Sequence, residues 1–244
     1  MGILNCTPDS FFAGSRKQTE REIAVRAARI LEEGGDIIDV GAYSTRPGAA
    51  EVTLEEEMHR MRRALETVRH EVPDATLSID TFRPEVARMA VEGYGAQIIN
   101  DVSEGLHLEE MAAIGVTYVL MSVQPDMPST LRCFREKVAR LRGLGCDNII
   151  LDPGFGFGKE VICGNYDMLG RLHEVKEEFP ELPLLAGMSR KRMVWQLLGC
   201  SPDDDAALQG TQILNAMALQ QGADILRVHD VKAAADTIEI MRHL

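Results

Sequence analysis

Short apolar runs alternate with amphipathic stretches along the whole of this 244-residue chain. Runs rich in Ile, Val and Leu predict strands at 2–4, 36–40, 76–80, 96–100, 117–121, 148–151, 183–187 and 224–228. Between them, apolar residues recur at helical spacing. They predict helices that include 19–33, 54–71, 84–92, 131–144, 166–179 and 206–221, with a last one at 232–243. The strand runs lack a two-residue alternation, which suits strands buried on both faces, and helices between them imply a parallel sheet. Eight such units in 244 residues give about one per 30, the length of a βαβ repeat. The expectation is an α/β protein, a (β/α)8 TIM barrel, forming a single domain over 1–244. An open doubly wound sheet fits less well, because no G-x-G-x-x-G follows the first strand.

Composition narrows the partners. The chain has 26 Lys plus Arg against 38 Asp plus Glu, a net charge of −12. That balance argues against general binding to nucleic acid or an anionic membrane, though not against a local anion site. The most apolar stretch, 115–123, is far shorter than the ~20 residues of a membrane span. Cys6, Cys133, Cys146, Cys163 and Cys200 are odd in number and never at C-x-x-C spacing. They suggest neither a disulfide framework nor a zinc site, and a reducing, cytoplasmic setting fits them. The first residues, MGILNCTPDS, do not read as a signal peptide.

A barrel carries its active site at the C-terminal ends of its strands. There the chain places Asn5-Cys6-Thr7-Pro8-Asp9-Ser10, Ser44-Thr45-Arg46-Pro47-Gly48, Asp80-Thr81, Asn100-Asp101, Asp152 with GFGFGK, Ser189-Arg190-Lys191, and Arg227-Val228-His229-Asp230. A single Asp at a strand end is commonly a helix cap. Polar clusters at seven strand ends point instead to a site.

The residue types sort by chemistry. Arg46, Lys191, Arg227 and His229, with Thr45 and exposed glycine N–H groups, suit a phosphate or diphosphate. A purely structural Arg227 would pair with Asp230. Asp80, Asn100 and Asp152 are acceptors suited to a heterocycle with adjacent N–H and NH2 donors. Asp152 could alternatively brace its Pro-Gly turn. Asn5 offers one neutral oxygen, fit either for Mg2+ shared with a diphosphate or for a turn. GFGFGK is not a phosphate-binding P-loop, since Glu160 stands where Ser or Thr is needed. Cys6 has no neighbouring His in sequence to activate it. His59, His70, His107, His173 and His243 fall on helical stretches, and the methionines are scattered as core fillers.

GILNCTPDSF, STRPGA, SIDT, IINDVS, DPGFGFGK, SRK and RVHDV, in that order from residue 2 to 231, resemble the dihydropteroate synthase family. The resemblance implies condensation of 6-hydroxymethyl-7,8-dihydropterin diphosphate with p-aminobenzoate, with Mg2+ as cofactor. It implies that Asp80, Asn100, Asp152 and Lys191 hold the pterin, and that Asn5, Thr45, Arg46, Arg227 and His229 hold the diphosphate, with Asn5 also on the metal. Phe11, Pro47, Phe157, Lys191 and Arg192 would border p-aminobenzoate. Lys191, Arg227, His229 and Asp80 would carry the catalytic roles. The implied partners are small molecules, with neither nucleic acid nor membrane, and a second copy in a homodimer. The implied inhibitors are sulfonamides.

The chain departs from the family pattern at four points. Ala13 stands where Asp is common, Met121-Ser122-Val123 where Met-His and a longer loop are common, and Arg192 where Ser is common. The chain also starts directly at its first strand. A pterin-dependent methyltransferase would not need STRPG, SRK or RVHDV. A non-catalytic pterin binder would keep the pterin residues without turnover.

Overall fold

The computed structural model describes residues 1–6, 20–43 and 52–244. Its strands are β1 (Gly2–Asn5), β2 (Ile37–Gly41), β3 (Thr76–Asp80), β4 (Ile98–Asp101), β5 (Thr117–Met121), β6 (Ile149–Asp152), β7 (Leu185–Ala186) and β8 (Ile225–Leu226). Strands β1 to β6 pair in sequence order, all parallel, and β7 pairs with β8 in the same sense. Parallel bridges Leu151↔Leu184 and Gly2↔Val228 join the two sheets into a ring. Leu151 N–H donates to Pro183 O and Ile3 N–H to Val228 O, both at 2.9 Å. The fold is the expected (β/α)8 barrel.

The helices are α1 (Glu20–Glu32), α2 (Leu54–Glu71), α3 (Pro84–Tyr94), α4 (Leu108–Ala112), α5 (Met127–Gly143), α6 (Cys163–Gly170), α7 (His173–Glu178), α8 (Arg192–Leu198), α9 (Asp205–Gln220) and α10 (Val231–Met241). Helix α2 begins where the Thr53 side chain accepts the Glu56 N–H at 3.2 Å, with three glutamates in its first turn against the helix dipole.

Three helical expectations needed revision. Helix α5 starts at Met127 rather than 131, because Asp126 caps the Ser129 N–H at 2.8 Å and Pro128 suits the first turn. The stretch 166–179 is two helices, interrupted after Gly170, a poor helix former. The short α4 and α8 were not foreseen, being too brief to show periodicity.

Side chains alternate between the two faces of a strand, and the core divides accordingly. Leu4, Ile38, Val40, Leu77, Ile79, Ile99 and Leu151 face outward into the large core beneath the helices. Ile98, Val119, Ile150 and Leu185, with Met1, Ile37 and Ile225, form a separate apolar plug inside the barrel. Beyond the plug on the same inward faces stand polar residues and glycines, Asn5, Asp39, Gly41, Ser78, Asp80, Asn100, Asp152, Gly187 and Arg227, with Met121 of β5 beside Asp152. The register sets Asn5 beside Gly41, Gly41 beside Asp80, and Asp80 beside Asn100.

Candidate active site

This polar layer brings together most of the described site residues. Arg227 donates through Nε to Asp39 Oδ2 at 2.7 Å and through Nη2 to Asp80 Oδ2 at 2.6 Å. Asn100 Nδ2 donates to the same Asp39 oxygen at 3.1 Å. Asp230 instead receives Arg190, at 2.8 and 3.1 Å, so the Arg227–Asp230 alternative is excluded. Asn100 Oδ1, Asp39 Oδ1 and Ser78 Oγ are buried without a hydrogen-bond partner among the described residues. An unpaired buried polar atom costs about 1–3 kcal/mol, so such atoms at a barrel mouth mark a place for a ligand.

Two inward glycines open the layer. A Cβ on Gly41 would lie 3.4 Å from Asn5 Oδ1 and 3.5 Å from Asp80 Oδ2. A Cβ on Gly187 would lie 3.8 Å from Arg227 Cβ and 3.9 Å from Lys191 Nζ. Asn5 thus neighbours Asp80, and Lys191 neighbours Arg227, across positions that carry no side chain.

The loop after β6 holds Lys191. Lys191 Nζ donates to Phe155 O and stands 4.9 Å from the centre of the Phe157 ring. Asp152 Oδ1 accepts the Gly154 N–H at 2.8 Å, so Asp152 does brace its turn while remaining in the inward layer. Gly154 and Gly158 have φ of +71° and +64°, and a Cβ on either would fall within 2.0 Å of a carbonyl oxygen, Ser122 O or Val123 O. Only glycine allows this approach. His229 Nδ1 lies 3.1 Å from Ser189 Oγ, its N–H donates to that same oxygen, and its carbonyl accepts Arg26 Nη2 at 2.7 Å.

Burial governs the charges. It pushes Asp80 up to about 7, against the pull of Arg227, and raises Asp152 against the pull of Lys191. It pushes Lys191 down to about 8. The Cys6 thiol is pushed up to about 12 by burial alone, which leaves it inert as a nucleophile.

Not every expected residue joins the cluster. Arg192 is exposed and donates to Gln196 along its own helix at 3.3 Å. Phe11, Ala13, Thr45, Arg46 and Pro47 lie outside the described residues.

Sequence reasoning missed Asp39, Ser78 and Lys159. Asp39 and Ser78 are fully buried polar residues inside the predicted strands 36–40 and 76–80, and that mismatch was the available signal. Lys159 is buried, donates to Gly154 O and Phe157 O at 3.2 Å, and is pushed down to about 8 by burial. No group of three or more His, Cys, Asp or Glu able to hold a metal occurs among the described residues.

Fold and site define a barrel enzyme whose mouth pairs acceptors for a nitrogen heterocycle with cations for an anion. Comparison with known proteins narrows that class. The profile of the pterin-binding enzymes matches residues 1–229. Dihydropteroate synthase of Escherichia coli K12 is 41% identical over 261 residues, covering 99% of this chain and 89% of that protein. The Yersinia pestis dihydropteroate synthase, solved with a sulfonamide drug, superposes with a TM-score of 0.90 at 37% identity, over 99% of this chain and 92% of that one. The Xanthomonas albilineans enzyme, solved with 7,8-dihydropteroate, gives 0.87 at 35% identity, over 99% and 91%. The chain belongs to the pterin-binding enzymes, in the dihydropteroate synthase family.

Proposed function

We propose that this chain condenses 6-hydroxymethyl-7,8-dihydropterin diphosphate with p-aminobenzoate, giving 7,8-dihydropteroate and diphosphate, within a single barrel domain spanning 1–244. The observation that carries this reading is the polar layer in which Asp80, Asn100 and Asp152 stand with Arg227, Lys191 beside them, and Asn100 Oδ1 is buried without a partner among the described residues. Carboxylates accept the paired N–H and NH2 donors of a pterin edge. Asn100 Oδ1 would accept another donor of the same ring. Arg227 and His229, with Thr45 and Arg46 from the second rim loop, would hold the diphosphate. Phe157 and Lys191, with Phe11, Pro47 and Arg192, would border p-aminobenzoate.

The residues suit a dissociative displacement. The bond from the pterin methylene to the diphosphate oxygen breaks first, and that electron pair leaves with diphosphate. Arg227 and His229 stabilise the growing negative charge, while Asp80 and Asp152 favour the cationic pterin. The aromatic amine then forms the C–N bond and releases a proton. It needs chiefly orientation, which Phe157 and Lys191 supply.

Magnesium fits the donor set. Asn5 Oδ1 lies beside the Asp80 carboxylate across Gly41, and the described residues form no complete metal cage. Mg2+ prefers a few protein oxygens, with water and phosphate completing its octahedron. Asn5 would hold it. When bound, it would neutralise charge on the departing diphosphate.

A homodimer would cover the apolar surface of α8 to α10, where Leu197, Leu198, Ile213, Met217 and Ile240 are exposed. Light scattering should return twice the chain mass, and Ile213→Glu should reduce it to one. No helix among the described residues is long and apolar enough to cross a membrane. Five unpaired cysteines suit a reducing cytoplasm.

The test is a single reaction. Purified protein, both substrates and Mg2+ should yield equal amounts of dihydropteroate and diphosphate. Chelator or Lys191→Ala should abolish the products, and a sulfonamide should compete with p-aminobenzoate. Tight pterin binding without any product would favour a non-catalytic binder instead.

A further inference from the structure

Glu104 follows β4 with φ +59°, a left-handed conformation that strains a residue other than glycine. Its carbonyl accepts Lys137 Nζ. Its carboxylate accepts the Val123 N–H at 2.9 Å and Gln124 Nε2 at 3.0 and 3.1 Å. Ser122 Oγ at 3.3 Å and Cys133 Sγ at 3.4 Å converge on the same Oε1. Burial acts to raise the Glu104 pKa, but the bonds from Gln124, Val123 and Cys133 outweigh it and hold the carboxyl below its ordinary value. One carboxylate thereby gathers three consecutive residues of the loop after β5.

Those residues form the wall against which the loop after β6 is moulded. The Ser122 N–H donates to Asp152 O at 2.8 Å. The carbonyls of Ser122 and Val123 meet Gly154 and Gly158 at distances no Cβ would permit. The far side of that loop carries the Asp152 carboxylate, the Phe155 carbonyl under Lys191 and the Phe157 ring. Lys159, beneath the loop, is drawn electrostatically by both Asp152 and Glu104.

We propose that Glu104 is a positioning residue: by fixing residues 122–124 it sets the 154–158 loop, and through it Asp152 and Lys191, in the geometry that receives the pterin. The proposal rests on the synthase reading above. The anion side of the site is held differently. Arg227 hangs by its hydrogen bonds on Asp39 and Asp80, and His229 bonds to Ser189 and Arg26, so both have anchors of their own. Arg227 meets the relay through its charge, which acts on Asp152 and Lys191. Loss of Glu104 should therefore damage the pterin subsite far more than the anion subsite.

The test compares calorimetric binding of 6-hydroxymethyl-7,8-dihydropterin and of inorganic diphosphate to wild type, Glu104→Ala, Glu104→Gln and Gln124→Ala, with a melting temperature for each. Loss of an outer-shell partner of a metal ligand commonly costs about 10–100-fold, and a loss of that order is expected for a residue that supports the pterin pocket in the same indirect way. In Glu104→Ala, pterin binding should weaken by at least about tenfold while diphosphate binding stays within about twofold. Glu104→Gln keeps an acceptor for the Val123 N–H and should recover most of the loss. Gln124→Ala, which removes a donor on the loop side, should shift pterin binding in the same direction by less, and covers the case where Glu104→Ala does not fold. Pterin affinity unchanged in Gln124→Ala and in any Glu104 variant that folds overturns the proposal. So does a parallel loss of both ligands with the melting temperature, which would mean general destabilisation. Wild type that binds pterin without forming dihydropteroate defeats the synthase reading alone, while wild type that binds no pterin defeats both.

Discussion

Arg227 is gripped by two carboxylates, Asp39 through Nε at 2.7 Å and Asp80 through Nη2 at 2.6 Å. Asp39 is fully buried and also receives Asn100. One guanidinium therefore joins the residues placed on the pterin to those placed on the diphosphate. Arg227→Ala would strip the leaving group of a cation and leave two carboxylates facing each other. We expect kcat/KM to fall by about 10²-fold or more, about 2.7 kcal/mol of transition-state stabilisation. A loss below about threefold in steady-state kinetics would remove Arg227 from the mechanism.

Asp39→Asn tests the anchor rather than the cation. The variant keeps a side chain of similar shape but removes the charge that fixes Arg227 Nε. Breaking a buried pair costs about 3–5 kcal/mol when one charge is left alone, and Asp80 remains here to soften that. We expect a smaller loss of stability in urea titration, with kcat/KM down by about 10–100-fold, the scale seen when a metal ligand loses its supporting partner. Wild-type kinetics in a correctly folded Asp39→Asn protein would show that Asp80 alone suffices.

The pH profile should be bell-shaped. Asp80, pushed up to about 7 by burial, must be ionised to accept donors, so kcat/KM rises with pH through that value. Lys191, pushed down to about 8 by burial, must keep its proton, so the rate falls beyond that value. Lys191→Arg should be slow but lack the alkaline limb. Stability moves oppositely to the acid limb of activity. Between the ordinary 3.8 and about 7 the folded state retains a proton on Asp80 that the unfolded chain has released, so this residue's contribution falls as pH rises across the window. Urea titrations across that range should show a shallower decline in Asp80→Asn. An unchanged slope would contradict the assignment.

Gly158→Ala should cost more than Gly145→Ala. Both glycines have positive φ, +64° and +81°. A Cβ at Gly158 would fall 1.7 Å from Val123 O, whereas at Gly145 nothing lies within 4 Å. Backbone strain of about 1–3 kcal/mol applies to each, and only Gly158→Ala must also displace the loop beside Asp152. Denaturation should rank the two, and only Gly158→Ala should also weaken pterin binding. Equal costs would mean that the 122–123 loop yields freely.

Much of the site was legible because barrel chemistry collects where strands end. Asp80, Asn100, Asp152, Lys191, Arg227 and His229 each follow an apolar run, and the fold brings five of them into one layer or beside it. What could not be read was pairing. A purely structural Arg227 would pair with Asp230, three residues on, but strand alternation turns Arg227 inward onto Asp39 and Asp80, and Asp230 is bound by Arg190. Asp39 was passed over because its neighbours Ile37, Ile38 and Val40 made the segment read as uniformly buried.

By itself the sequence determined the number and order of the strands, the parallel barrel they form, and the rim on which the reactive side chains gather. These follow from local patterns: apolar runs of strand length, helical spacing between them, and polar residues at run ends. Only the tertiary structure decided that Asp39 anchors Arg227 and Asn100 together, that Lys191 rests on the Phe155 carbonyl, and that Glu104 holds the wall behind the 154–158 loop. Those contacts join residues far apart in sequence. They depend on strand register, on which face each side chain takes, and on glycines that let two loops touch, none of which a local pattern encodes.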